Sequence, residues 1–233
     1  MDRTRRNLAI ALAASLLAAG GSGCLGPSST PSWMPFAHHP PEPVPGVDSP
    51  SERAAGLRKL AEQAPSMDAA QKGALALELV EQIKKEEDPS LRSEILRTLA
   101  VCGGPAADRV LRAALNDPDA DVRMLACKLC GKHCDAEAVK ALGIVVSADI
   151  DKDVRMAAVQ ALGSARDPSA IAVLGTALAE KDPAMQYSAV VSLRTVTGRD
   201  LGNDVDRWRA AVKDGSLKPA DAATLAGRWL HWF

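Results

Sequence analysis

The chain has 233 residues, with 28 Lys+Arg against 29 Asp+Glu, 47% hydrophobic residues and only 3% aromatics. A formal net charge of −1 supplies no overall basic field for nucleic acid. The apolar share is carried by Ala, Leu and Val, which suit close-packed helices and argue against the aromatic, β-branched fill of sandwiches and barrels.

At the N-terminus, Arg3, Arg5 and Arg6 form a basic start, Leu8 to Ala19 is an apolar run, and Gly20-Gly21-Ser22-Gly23 leads into Cys24. The run is shorter than the ~20 apolar residues of a transmembrane helix, so residues 1–23 read as an export signal outside the fold. The segment resembles a bacterial lipoprotein signal peptide, in which small residues precede a lipidated Cys that becomes the new N-terminus. Gly21 stands where that family usually has Leu. The resemblance implies a lipid on Cys24, a membrane anchor, and a place in the cell envelope on the periplasmic or outer side of a membrane. Cleavage after Gly20 or Gly23 without lipidation is the alternative. Thr4-Arg5-Arg6-Asn7-Leu8 also faintly resembles a twin-arginine signal.

Residues 24–51 read as a tether. Pro27, Pro31, Pro35, Pro40, Pro41, Pro43, Pro45 and Pro50 oppose helix and sheet and favour an extended spacer, at most on the order of 80 Å long. Trp33 and Phe36 can meet lipid or the domain, and His38-His39 is too small a donor set for a metal.

Residues 52–87 predict an N-terminal capping helix pair, broken at Pro65 and restarted near Ser66 or Asp68, with exposed charges at Lys84 to Glu87. From residue 88 to 200 the chain repeats. Leu91-Arg92, Val122-Arg123 and Val154-Arg155 recur at 31 and 32 residues, with Gln186-Tyr187 as a degenerate fourth copy. Ala100, Gly131, Gly163 and Thr195 follow eight residues later and are expected to end the first helix of each unit. Leu111, Leu142 and Leu174, with Leu115, Val146 and Leu178 four residues on, lie on one face of a second helix. Asp88-Pro89, Asp117-Pro118, Asp167-Pro168 and Asp182-Pro183 each offer a capping oxygen and a proline suited to the first helical turn. A lone helix pair cannot bury its apolar faces, so the copies must stack.

Two stretches carry a family resemblance. They are Asp117-x3-Asp121-Val122-Arg123-x2-Ala126-x4-Gly131 with Asp135-x3-Val139-x2-Leu142, and Asp153-Val154-Arg155-x2-Ala158-x2-Ala161-Leu162-Gly163 with Asp167-Pro168-x2-Ile171-x2-Leu174. They resemble HEAT-like repeats of the short phycobilisome-lyase type. The resemblance implies an all-α, right-handed α-solenoid of stacked antiparallel helix pairs. It leaves function open, since such repeats serve as scaffolds, inhibitors, lyases and regulators. Residues 201–233 are expected to cap the stack, with a helix from about Asp204 through Trp208 to Val212 and a last helix after Pro219. Trp208, Leu225, Trp229, Leu230, Trp232 and Phe233 would cover the terminal apolar surface.

Four groups of residues are candidates for function. Cys102, Cys127, Cys130, Cys134 and His133 have soft-ligand character, but Cys127 and Cys130 fall in register with Leu96 and Leu99 and with Val159 and Leu162, which are core positions. Reduced packing residues, a Cys102–Cys134 disulfide and a metal site remain open; a haem attachment fails because Gly131 stands where the histidine is needed. Arg92, Arg123 and Arg155 share one structural position and read as a ladder pairing with Asp121 and Asp153 rather than as an anion-binding stripe. Arg109, Arg112, Glu137 and Lys140 lie on second helices, which line the concave side in such solenoids. With Gly143 and Gly175 flattening that surface, they mark the candidate partner groove. His231 lies among the C-terminal aromatics, and no catalytic pair is set at hydrogen-bond reach by the periodicity.

The reading is a non-catalytic, lipid-anchored envelope scaffold or adaptor for an unknown protein partner, with no cofactor and no nucleic acid. Its alternatives are a metal- or redox-linked module on the cysteines and a lyase-like enzyme acting on a prosthetic group.

Overall fold

Side-chain oxygens placed just ahead of apolar runs begin most of the helices, those starting at Pro105 and Ala170 being uncapped by a side chain. The computed structural model describes residues 48–132, 135–165 and 167–218, which hold ten α-helices and no strand. They form five successive pairs: α1 (Pro50–Gln63) with α2 (Ala69–Ile83), α3 (Pro89–Cys102) with α4 (Pro105–Ala113), α5 (Ala120–Lys132) with α6 (Ala136–Ala148), α7 (Lys152–Ala165) with α8 (Ala170–Leu178), and α9 (Pro183–Thr197) with α10 (Val205–Lys213). The expected all-α stack of helix pairs is the fold of the chain. Cys24, the signal segment, the tether up to residue 47, His133, Cys134 and the aromatic-rich residues 219–233 lie outside the described residues.

Capping explains the starts. Ser49 and Glu52 form a reciprocal box on α1, which therefore begins at Pro50, ahead of the expected residue 52. Asp68 and Gln71 do the same for α2. Asp88 and Asp182 accept from the first-turn N–H groups of Ser90 (2.7 Å) and Ala184 (2.9 Å), with Pro89 and Pro183 at the first helical position. The other two Asp-Pro pairs do not start helices. The Asp117 carboxylate accepts from the Asp119 N–H and from an arginine, so Asp119 caps Val122 and α5 starts at Ala120. Asp167 is used by the Ser169 N–H and hydroxyl, and α8 starts at Ala170.

First helices α1, α3, α5, α7 and α9 stack in one row and the second helices in another, with α10 beside α8. The first-helix row is the more closely packed. Two glycines allow this. Gly131 and Gly163 lie in the last turns of α5 and α7, which run on to Lys132 and Ala165, close to the expected ends. A Cβ on Gly131 would stand 2.7 Å from the Ala161 carbonyl oxygen, and one on Gly163 2.7 Å from the Ser192 hydroxyl. The first helices that do end on glycine use Gly103 (φ 69°) and Gly198 (φ 66°), where positive φ is needed.

The core runs along the stack in two clusters bridged by Ile83 and Val110, which pack against both. Leu57, Leu79, Leu91, Ile95 and Leu99 fill the first; Leu96, Leu111, Leu142, Leu162, Leu174, Met185 and Leu193 belong to the second. Each fully buried leucine contributes roughly 1.5–3 kcal/mol. At the end of the second, Trp208 of α10 is completely buried and its indole N–H donates to the Gly202 carbonyl at 2.8 Å.

Candidate interaction surface

The recurring arginines form a ladder, but with different acids from those expected. Arg92 donates through Nη2 and Nε to the two carboxylate oxygens of Asp117 (2.7 and 2.9 Å), and Arg123 does the same to Asp149 (3.1 and 2.9 Å). Arg155 reaches Glu180 at 3.5 Å. Each guanidinium also donates backward to main-chain carbonyls: Arg92 to Glu87, Arg123 to Asp117, Arg155 to Asp149. In the degenerate fourth copy the Gln186 amide donates to the Glu180 carbonyl at 2.5 Å, keeping the backward bond without the charge. Arg53 of α1 pairs with Glu86, so Glu86 is not one of a run of exposed charges and serves as an earlier rung.

Asp121 and Asp153 take no part in this ladder. They sit in the first turns of α5 and α7 and are exposed. The signal missed in the sequence is an acid six residues before each register position: Glu86, Asp117, Asp149 and Glu180. These acids lie in the loops between repeats, which the next repeat's packing brings back over the arginine of the previous one. For Asp149, burial opposes ionisation, but the Arg123 guanidinium and the Asp151 N–H outweigh it and hold the carboxyl below its ordinary range. The hydrogen bond that Arg92 donates to Asp117 likewise raises the arginine.

Cys127 and Cys130 are buried in the core on α5, as their register with leucines predicts. Burial, reinforced by neighbouring Cys130, pushes the Cys127 thiol up to about 12, which makes it unreactive. Cys102 is the last residue of α3, half-buried, with its thiol also raised by burial. Among the described residues no group of three or more His, Cys, Asp or Glu is placed to hold a metal ion.

On the second-helix row, Arg112 is engaged by Asp135 at 3.0 Å, and Glu137 pairs with Lys140 at 2.8 Å one turn along α6. Arg109 is exposed. Gly143 and Gly175 do not flatten this row. They seat valines of the next helix, since a Cβ would stand 3.2 Å from Val173 on Gly143 and 2.7 Å from Val212 on Gly175. Of the four residues expected to form a partner groove, Arg112 is tied to Asp135, Glu137 and Lys140 form an exposed pair, and Arg109 is exposed.

Grooves open on both rows: one of about 380 Å³ is lined by Leu115, Ile144, Val145, Ala148 and Ile150 beside the second helix α6, and two more lie on the first-helix row. One, of about 420 Å³, lies between α5 and α7 and is lined by Met124, Leu125, Lys128, Lys132, Ala157 and Gln160. A second, of about 440 Å³, lies between α7 and α9 and is lined by Met156, Gly163, Ser164, Tyr187, Val191 and Thr195. The exposed positions repeat with the helices: Arg97, Lys128, Gln160 and Val191 form one line, and Val101, Lys132, Ser164 and Thr195 the next. Tyr187, 59% exposed, and Val191, 39% exposed, are the large apolar side chains that α9 offers to solvent. Exposed residues at fixed register on adjacent helices make one continuous face rather than scattered positions.

Comparison of the sequence with curated proteins finds no match. Among solved structures, the chain is similar to the complex of CpcE and CpcF of phycocyanin lyase from Nostoc sp. PCC7120, with 18% identity over 69% of this chain and 99% of that one and a TM-score of 0.44. It is also similar to two engineered proteins, each 22% identical over 78% of this chain, covering 89% and 90% of theirs, both with a TM-score of 0.44. The HEAT repeats family profile matches residues 76–163 and 144–205, together more than half of the sequence. The tandem helix pairs, the arginine ladder and this match agree, and the chain belongs to the HEAT repeat family.

Proposed function

We propose that this HEAT repeat protein is a non-catalytic scaffold or adaptor that presents its first-helix face to a partner protein. The observation that supports it is the register of that face: exposed side chains on α3, α5, α7 and α9 align above two open, largely apolar grooves. Helices locked by a core and a ladder present such a surface preformed, so little ordering entropy opposes binding.

The second part of the reading is the address. The protein is exported, carries a lipid on Cys24, and is held at a membrane of the cell envelope with residues 24–51 as spacer. It draws on the sequence of the first 51 residues. Cys24→Ala should shift the protein from the membrane to the soluble fraction, and continued sedimentation with membranes would refute the anchor. For the scaffold, a photo-crosslinking residue in place of Tyr187 should capture a defined partner in native envelopes, while one in place of Arg109 should not. Equal capture from both positions, or from neither, would overturn the assignment of the face.

A further inference from the structure

The first-helix face has an uneven distribution of charge that restricts what can occupy it. On α5, Lys128 and Lys132 are exposed one turn apart along the groove, and neither has an ion-pair partner among the described residues. Arg97 on α3 stands in line with Lys128 but is shared with Glu94 at 3.4 Å. From Met156 to Ala165, α7 has no charged residue, and on α9 the sole charge, Arg194, is tied to Asp200 at 3.0 Å. No carboxylate lines either groove. The exposed acids of this face, Asp121 and Asp153, stand in the first turns of α5 and α7, at the opposite end from Lys132.

The face thus changes character along the stack, basic at α5 and neutral and apolar at α7 and α9. Its apolar end has a floor of small residues, Gly163, Ser164, Ser188 and Ser192, flanked by Met156, Tyr187 and Val191. A floor without bulky side chains leaves room for a large side chain from outside, and methionine adapts to its shape. Ser188 is 8% exposed and its hydroxyl has no hydrogen-bond partner among the described residues. Helices packed about 8–10 Å apart place α5 and α9 roughly 16–20 Å from each other, a span covered by about 11–13 helical residues.

We propose that this face seats an amphipathic helix of a partner protein, three to four turns long, which crosses α5, α7 and α9 with an acidic end over Lys128 and Lys132 and an aliphatic or aromatic side against Met156, Tyr187 and Val191. The inference rests on the scaffold reading and adds the chemistry of the partner. Helix-in-groove recognition takes its affinity from apolar anchors, while the lysines set which end of the ligand lies where. Repulsion from Asp121 and Asp153 keeps the acidic end in the C-terminal half of the first helices.

The test uses the full mature chain and two labelled synthetic helices of about 16 residues. They share one Leu/Phe stripe and differ only in a terminal block of glutamates or of lysines. Fluorescence anisotropy at about 0.15 M salt should show the acidic helix binding at least about tenfold more tightly. Lys128→Glu with Lys132→Glu should invert that preference, and Tyr187→Ser with Val191→Ser should weaken the acidic helix by about tenfold with unchanged helicity. Equal affinities or no inversion would overturn the proposal. Indifference to the Tyr187 and Val191 changes would overturn it too, by reducing the contact to adventitious attraction to lysine. Sedimentation that shows self-association relieved by Val191→Ser would assign the face to a second copy of this chain and likewise overturn it. Partner capture at Tyr187 without peptide discrimination would leave the scaffold reading standing and remove only the acidic helix. Discrimination without capture would do the reverse.

Discussion

Gly163 and Ser192 lie so close across the α7–α9 contact that a Cβ on the glycine would stand 2.7 Å from the serine hydroxyl and 2.8 Å from its Cα. The hydroxyl itself is fixed, donating to the Val159 carbonyl at 3.0 Å. Gly163→Ala should therefore destabilise the protein by about 1–3 kcal/mol through overpacking, although alanine is intrinsically better in a helix by about 1 kcal/mol. Gly73→Ala, in α2 with nothing within 4 Å, should do the opposite and stabilise by roughly 0.5–1 kcal/mol. Thermal melts of the two variants should shift in opposite directions by a few degrees, about 2–4 °C per kcal/mol.

The ladder gives a second contrast. Asp149→Ala leaves Arg123, 13% exposed, without its bidentate acceptor and should cost about 2–3 kcal/mol in urea unfolding. Asp121→Ala removes an exposed carboxylate outside the ladder and should stay within about 0.5 kcal/mol of the parent. Equal effects of the two would mean that the rung contributes nothing specific.

The same rung carries a pH dependence with a defined sign. The folded-state carboxyl of Asp149 lies below the ordinary 3.8, so the unfolded chain takes up the proton first. The contribution is complete above about pH 5 and is lost as the pH falls through 3.8 and below. The stability difference between the parent and Asp149→Asn should accordingly narrow between pH 5 and pH 3, as read by urea midpoints.

The thiols should react in order of exposure. Cys102, half-buried at the end of α3, should be alkylated in the native state, whereas Cys127 should react only as the chain unfolds, because burial places its thiol near 12. Mass spectrometry after timed iodoacetamide treatment reads this directly, and native-state labelling of Cys127 would contradict its place in the core.

Trp208→Ala should cost about 3–5 kcal/mol, since the indole is fully buried where α10 closes the last pair. Trp208→Phe keeps a smaller aromatic ring but removes the N–H donated to Gly202, whose carbonyl is left with only the 3.3 Å bond from Arg194, and should cost about 1–3 kcal/mol. A phenylalanine variant as unstable as the alanine one would show that packing volume, not the hydrogen bond, holds this end.

Much of the architecture was legible because it depends on local spacing. The recurrence of Leu91-Arg92, Val122-Arg123 and Val154-Arg155 placed the first helices, and the register of Cys127 and Cys130 with leucines placed both cysteines in the core. Asp88, Asp182 and Asp204 cap the helices they precede, since a cap needs only neighbours within one turn. The partners of the ladder were misplaced for the complementary reason. The expected partners, Asp121 and Asp153 across the stack, stay exposed in first helical turns, while the stack returns the loop acids Asp117 and Asp149 to Arg92 and Arg123, 25 and 26 residues away.

The candidate interaction face was the least legible part. From the sequence, Gly131 and Gly163 look like helix ends and Gly143 and Gly175 like flat surface, because a glycine's local meaning is freedom to turn. In the folded chain all four mark where a neighbouring helix comes closest. The amino-acid sequence alone determined the helix pairs, their period and their apolar faces, all set by interactions within a few residues. Which row packs tighter, which acids close the ladder and which groove stays open were decided only when the pairs stacked, because those contacts join residues roughly one repeat apart and depend on how nearly two backbones can meet.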